Sequence, residues 1–100
     1  MSKRRLRRYR ADDRSGSDYG SVELFGQRDF GGRSIRVEED VANFQGSRWD
    51  GRASSVVVNE GVWQMCTEPR FEGVCATLGP GRYDRLAQLN NRISSLRQVR

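Results

Sequence analysis

Side-chain oxygen atoms occur at matching positions in two eight-residue segments of this 100-residue chain. Residues 49–56 have the sequence WDGRASSV and residues 89–96 have the sequence LNNRISSL. In both segments an Asp or Asn is followed four residues later by a pair of serines. Carboxylate, amide and hydroxyl oxygens are ligands that hard cations prefer. The same residue types also hydrogen-bond their own backbone in turns, so a purely structural role for both loops stays open.

The composition argues against most other kinds of site. The chain contains no histidine, the commonest general base and a frequent ligand of transition metals. Its two cysteines, Cys66 and Cys75, lack the C-x-x-C spacing and are too few for a zinc site. No histidine is present to activate either thiol for catalysis. We therefore expect a protein that is not an enzyme and has no small-molecule substrate.

The net charge of +5 is concentrated at the N-terminus. Residues 1–20 contain seven Lys or Arg and three Asp, whereas the other eighty residues carry a surplus of one positive charge. Hydrophobic residues are too sparse in this segment to offset the entropy of ordering it, which predicts a disordered basic arm. We expect any binding of nucleic acid or of an anionic surface to occur only through this arm. A solvated tail without a specific partner is the alternative.

The elements that must position the oxygen-rich loops are short β-strands. Alternating or β-branched segments separated by glycine-containing turns predict strands at residues 22–25, 33–37, 54–58, 62–66, 74–78 and 94–99. No apolar run reaches the roughly 18 residues needed to span a bilayer, so no membrane span is expected.

A second repeat shows that the whole unit is duplicated. Residues 25–32 (FGQRDFGG) and 66–73 (CTEPRFEG) both place Phe two residues before Gly. A unit of about 40 residues rarely buries enough surface to fold alone, so the two units must share one core. We predict an all-β sandwich over residues 21–100, built from two Greek keys of four strands each, the first over about 21–60 and the second over about 61–100.

These motifs together resemble the microbial βγ-crystallin domain over about four-fifths of the chain. The family's hairpin signature, aromatic-x4-aromatic-x-Gly, is complete in Phe25, Phe30 and Gly32, but Cys66 replaces the first aromatic residue of the second unit. The family's calcium motif, N/D-N/D-x-x-S/T-S, is complete in residues 90–95. The first loop lacks the second Asp or Asn, because Gly51 stands there. The resemblance implies a βγ-crystallin-like sandwich that binds Ca²⁺.

The resemblance also implies a set of calcium ligands. They are the side chains of Asn90, Asn91 and Ser94 with the carbonyl of Arg92, the side chains of Asp50 and Ser54 with the carbonyl of Arg52, and the facing carbonyls of Gly26 and Thr67. Which loop faces which hairpin is not predicted. The loop at residues 90–95 is expected to form the better site. The set contains one carboxylate, and low ligand charge predicts dissociation constants from micromolar to millimolar.

The second serine of each loop and the two cysteines are assigned mainly structural roles. Ser55 and Ser95 are expected to be structural hydroxyls. Cys66 and Cys75 are expected on adjacent strands, where either a disulfide or two small buried thiols is possible. A disulfide would imply an oxidising compartment, whereas the absence of an export signal predicts the cytoplasm.

The main hypothesis is a non-enzymatic, monomeric βγ-crystallin-type domain that calcium stabilises. A purely structural βγ-crystallin module with vestigial calcium sites is the first alternative. Binding of nucleic acid or of an anionic surface through the basic arm is the second.

Overall fold

The computed structural model describes residues 20–100, so the predicted basic arm and its binding hypothesis lie outside the described residues except at Gly20. Gly20 was expected to be the last residue of the arm. It is buried, and its N–H donates to Oε1 of Gln98 at 2.8 Å. Gly20 therefore belongs to the folded part of the chain.

The described residues form seven β-strands and three single turns of 3₁₀-helix. The strands are β1 Ser21–Gln27, β2 Gly31–Val37, β3 Ser55–Glu60, β4 Trp63–Glu68, β5 Glu72–Leu78, β6 Gly81–Tyr83 and β7 Ser95–Gln98. The 3₁₀ turns are Arg28–Phe30, Pro69–Phe71 and Ala87–Leu89. The six predicted strands overlap β1 to β5 and β7, with bounds that differ by up to two residues at either end, and this confirms the all-β prediction. In residues 20–100 no helix is long and apolar enough to cross a bilayer.

The strands form two antiparallel sheets, which exchange segments between the two halves of the sequence. One sheet has the order β2-β1-β3-β6 and the other the order β5-β4-β7. Strand β6 follows β5 in the chain, yet it pairs with β3 of the first half. Conversely, Val41 of the first half forms a bridge with Leu96 of β7. This exchange gives two interlocked Greek keys and confirms the predicted fold class.

The first half has only three strands, whereas four were predicted in each half. Its remaining segment is reduced to the bridge at Val41, whose N–H donates to the carbonyl of Leu96 at 2.8 Å and whose carbonyl accepts from Leu96 N–H at 2.9 Å. Beside it, Oδ1 of Asp40 accepts from the N–H of Gln98 at 2.9 Å. Because a side chain takes the place of a backbone acceptor, the pairing does not extend into a regular strand.

The core lies between the sheets and holds the oxygen-rich loops in place. Its fully buried side chains include Val22, Val56, Trp63, Met65, Ile93 and Leu96. Trp63 satisfies its indole N–H by donating to the carbonyl of Glu60 at 2.9 Å. The residues that precede the two loops behave as anchors, because Leu89 is buried in this core and Trp49 packs against it.

Each hairpin contains a 3₁₀ turn with two left-handed residues. The φ angles are +55° and +63° at Asp29 and Phe30, and +62° and +64° at Arg70 and Phe71. Residues with a Cβ atom are disfavoured in this conformation, by roughly 1–2 kcal/mol each. Other contacts must therefore hold both turns.

The second serine of each loop supplies those contacts. Oγ of Ser55 donates to the carbonyl of Gln27 at 2.6 Å and accepts from Phe30 N–H at 3.0 Å. Ser95 repeats this in the second half, with the carbonyl of Glu68 at 2.6 Å and Phe71 N–H at 3.0 Å. Both serines are fully buried. The hydroxyls of Ser55 and Ser95 are thus structural, as predicted.

The two cysteines face each other across the second hairpin. Cys66 of β4 pairs directly with Cys75 of β5, their Cα atoms are 4.1 Å apart, and the structure joins them in a disulfide. In the first half, Phe25 takes the place of Cys66 and packs edge-on against Phe30, with 5.7 Å between ring centroids. A covalent bridge thus takes the place of an aromatic contact.

Candidate cation-binding loops

The two oxygen-rich loops are joined to each other by reciprocal backbone hydrogen bonds. The N–H of Gly51 donates to the carbonyl of Ile93 at 3.1 Å, and the N–H of Asn91 donates to the carbonyl of Ala53 at 2.9 Å. Each loop therefore lies against its copy, although the two are about 40 residues apart in the chain.

Each loop is also attached to the hairpin of its own half. The N–H of Ser54 donates to the carbonyl of Phe25 at 2.8 Å, and the N–H of Ser94 donates to the carbonyl of Cys66 at 2.9 Å. The two residues proposed from the sequence as facing carbonyl donors, Gly26 and Thr67, directly follow these acceptors. The question that the sequence left open, which loop lies beside which hairpin, is thereby answered.

The first serine of each loop is hydrogen-bonded to the Asp or Asn of the other loop. Oγ of Ser54 donates to Oδ1 of Asn91 at 2.8 Å, and Oγ of Ser94 donates to Oδ1 of Asp50 at 2.6 Å. We refer to these as the Ser54–Asn91 pair and the Asp50–Ser94 pair. Both serines are buried. The sequence interpretation, which grouped the candidate ligands loop by loop, missed that each oxygen pair takes one member from each loop.

The side-chain oxygen of Asn90 differs from those of the two pairs. Its Oδ1 is buried and, within residues 20–100, has no hydrogen-bond partner. Leaving such an acceptor unsatisfied costs about 1–3 kcal/mol. Its backbone N–H, by contrast, donates to the carbonyl of Ala87 at 3.2 Å. A cation is one group that an unpaired amide oxygen can bind.

The side chains of the other proposed ligand residues are exposed or make hydrogen bonds elsewhere. Nη1 of Arg92 reaches the carbonyl of Gln88 at 3.5 Å, and the Arg92 side chain is exposed. Oγ1 of Thr67 accepts from Val74 N–H at 3.0 Å and so belongs to the hairpin. Arg52 is exposed, and its N–H donates to the carbonyl of Trp49 at 3.1 Å. For these residues only the backbone carbonyl remains a candidate ligand.

The donor set is chemically uniform. Within the described residues, no three His, Cys, Asp or Glu side chains come together as a metal-binding group. The loops instead bring together hydroxyl and amide oxygens and the single carboxylate of Asp50. Oxygen donors of this kind suit a hard cation such as calcium better than a soft transition metal.

Comparison with known proteins identifies the family. Residues 21–99 match the family model described as Beta/Gamma crystallin. The chain belongs to this family. The beta/gamma-crystallin of Ciona intestinalis is 30% identical over 64 residues, which is 64% of this chain and 76% of that protein.

Two solved structures from microbial sources share the fold. A βγ-crystallin from an archaeon superimposes with a TM-score of 0.73 at 28% identity, covering 82% of this chain and 100% of that one. A βγ-crystallin from Methanosaeta thermophila superimposes with a TM-score of 0.68 at 28% identity, covering 78% and 99%. That protein is described as binding a transition-metal ion. The resemblance to microbial βγ-crystallins is thus confirmed, and metal binding occurs within the family.

Proposed function

We propose that this βγ-crystallin domain is a non-enzymatic, calcium-binding module. The observation that carries the proposal is the pairing of oxygens across the loops, Ser54 with Asn91 and Asp50 with Ser94. Two oxygens already within 3 Å of each other need to separate only slightly to bind one cation at the usual distances of roughly 2.3–2.6 Å. Each pair is the nucleus of one proposed site.

The rest of each coordination shell would come from backbone carbonyls and water, because calcium takes six to eight oxygens. The carbonyls of Gly26 and Thr67, beside the loop-bound hairpin residues, and those of Arg52 and Arg92 are the candidates. Among the described residues, Oδ1 of Asn90 is buried without a hydrogen-bond partner. This supports the proposal, since an ion bound by the loop would satisfy that oxygen.

The two proposed sites differ in charge. The Asp50–Ser94 pair contains the single carboxylate, whereas the Ser54–Asn91 pair is neutral. Ligand charge is one determinant of calcium affinity, so the Asp50–Ser94 site is the tighter one. This replaces the ranking by loop, since each pair draws on both loops. Both affinities are expected between micromolar and millimolar.

The proposed mechanism is stabilisation of the folded state by the ion. A ligand that binds only the folded form adds RT ln(1 + [L]/Kd), or about 2.7 kcal/mol at one hundred times Kd. Because each pair takes one oxygen from each half of the chain, a bound ion would hold the two Greek keys together. Relative to a single-loop site, this geometry ties ion binding to the packing of the whole domain.

Calorimetric titration of the chelator-treated protein with calcium tests the proposal. We expect a stoichiometry of two for the wild-type chain. The double variant Asp50→Ala/Ser94→Ala and the double variant Ser54→Ala/Asn91→Ala should each keep one site, with the weaker affinity remaining in the first. Glu39→Gln, which removes an exposed carboxylate outside both loops, serves as the control and should leave two sites.

A calcium titration without a response would support the structural alternative. If millimolar calcium gives no heat and no change in the melting temperature, the domain is a structural module with vestigial sites. One observation favours that second candidate: Ser54 and Ser94 satisfy their hydroxyls by hydrogen bonding within the protein, without an ion.

A further inference from the structure

A cleft separate from the two oxygen pairs lies between the first hairpin and the first loop. Its volume is about 440 Å³, and its lining includes Gly26, Gly32, Arg33, Arg48, Trp49 and Arg52. This volume falls within the range of roughly 300–1,000 Å³ that is typical of small-molecule pockets. None of the side chains of Asp50, Ser54, Asn91 or Ser94 lines it.

The cleft is positively charged. Three of its lining residues are arginines, and no carboxylate lines it. Within residues 20–100 the ion pair that forms joins Arg36 to Glu38, so none of the three guanidinium groups of the cleft forms an ion pair with a described carboxylate. Like charges that line a concave surface raise the local potential and attract anions. Guanidinium groups in particular match the geometry of phosphate oxygens.

The duplicated half shows that the fold does not require these charges. With the offsets of the two repeats, Arg33 corresponds to Val74, Arg48 to Gln88 and Trp49 to Leu89. Of the three arginines only Arg52 has a basic counterpart, Arg92. The second half thus builds the corresponding hairpin and loop with uncharged residues at the positions of Arg33 and Arg48, although Gln88 lies in a 3₁₀ turn that the first half lacks.

Trp49 gives the cleft an aromatic wall. Its side chain is half-buried, packs against the core and lines the cleft. No described residue accepts a hydrogen bond from its indole N–H, so that donor is available to a ligand. Gly26 and Gly32, which lack side chains, also line the cleft, and the side chain of Gln27 lies against Gly32. An aromatic face beside cationic groups favours a ligand that combines a planar ring with an anion.

We propose that this cleft binds a nucleoside monophosphate, a phosphate ester that carries a planar base. The phosphate is held by the guanidinium groups of Arg33, Arg48 and Arg52, and the base stacks on Trp49. The cleft shares Gly26 and Arg52 with the calcium proposal, but the nucleotide contacts are side chains, whereas the calcium proposal uses only the backbone carbonyls of these two residues.

Fluorescence titration of the full-length chain tests this assignment, because Trp49 reports on the cleft whereas Trp63 is fully buried. The probes are adenosine monophosphate, adenosine and inorganic phosphate. We expect saturable quenching by the nucleotide, with an affinity at least tenfold higher than that of either part, and weaker binding as ionic strength rises.

A double variant that takes its two new residues from the second half of the chain provides a further test. Arg33→Val/Arg48→Gln replaces two exposed arginines by the residues at the corresponding positions of the repeat, and should weaken nucleotide binding at least tenfold without lowering the melting temperature. Arg70→Gln/Arg85→Gln removes two exposed charges outside the cleft and should bind as the wild type does.

Three results would overturn the assignment. They are an absence of quenching at millimolar nucleotide, equal affinity for inorganic phosphate and for the nucleotide, and unchanged binding by the Arg33→Val/Arg48→Gln variant. The last would place the contact elsewhere, for example on the basic arm.

Discussion

Two adjacent serines should respond very differently to replacement by alanine. Ser55 is fully buried and makes two hydrogen bonds that hold the left-handed turn at Phe30. Ser54 makes one side-chain hydrogen bond, to the exposed Asn91. We therefore expect Ser55→Ala to destabilise the domain and Ser54→Ala chiefly to impair the proposed binding of calcium.

The magnitude follows from the partners left behind. Ser55→Ala leaves the carbonyl of Gln27 and the N–H of Phe30 without their partner, and an unsatisfied buried group costs about 1–3 kcal/mol. Gln27 is exposed and Phe30 half-buried, so water replaces part of the loss. We expect the free energy of unfolding to fall by about 2 kcal/mol. Ser54→Ala should cost about 1 kcal/mol, the net value of one hydrogen bond.

Urea unfolding of the chelator-treated variants measures both values. Ser34→Ala changes an exposed serine of β2 and provides the control, with an expected change below about 0.5 kcal/mol. Calcium titration of the same proteins should show one site lost in Ser54→Ala and two sites kept in Ser55→Ala. The reasoning is refuted if Ser55→Ala is no less stable than Ser34→Ala, since the two hydrogen bonds would then contribute nothing.

Two further predictions concern the disulfide and the core. Reduction of the Cys66–Cys75 bridge should lower the free energy of unfolding by about 2–3 kcal/mol, because it opens a loop between cysteines nine residues apart. Urea unfolding with and without reductant measures this, and a Cys66→Ala/Cys75→Ala variant should not respond to reductant. Leu96→Ala should cost about 2–5 kcal/mol, since Leu96 is fully buried where the two halves exchange segments. In thermal unfolding, Val99→Ala is the exposed control, and a similar loss there would contradict the prediction.

Much of the architecture could be predicted because the duplication repeats its signals. The alternating segments locate most strands, and the recurring Ser-Ser pairs locate the loops. The structural role of Ser55 and Ser95 also follows from their position at the start of a β-branched or apolar strand. These features depend on local pattern, which one sequence displays directly.

The remaining features depend on contacts between distant residues. Strand β6 is absent from the predicted strands because the adjoining Gly79, Pro80 and Gly81 give the signal of a turn, yet its pairing with β3 makes it a strand. The left-handed conformation of Phe30 and Phe71 has no local signal, since aromatic residues rarely adopt it. The pairing of Asp50 with Ser94 was missed because it joins residues of different loops. Asp50 and Asn91, which accept the two serine hydroxyls, occupy different positions in the repeat, and their similar roles become visible only when one loop packs on the other.

The duplication also distinguishes the contacts that both halves share from the charged residues that only the first half contains. The backbone bonds from loop to hairpin and from loop to loop occur in both halves with nearly equal lengths, so the fold depends on them. Asp50 and the arginines Arg33 and Arg48, however, have no charged counterpart at the equivalent positions. Because the second half folds without these charges, folding alone does not explain them. The carboxylate and the cationic cleft are therefore the features of the first half for which binding offers a physical reason.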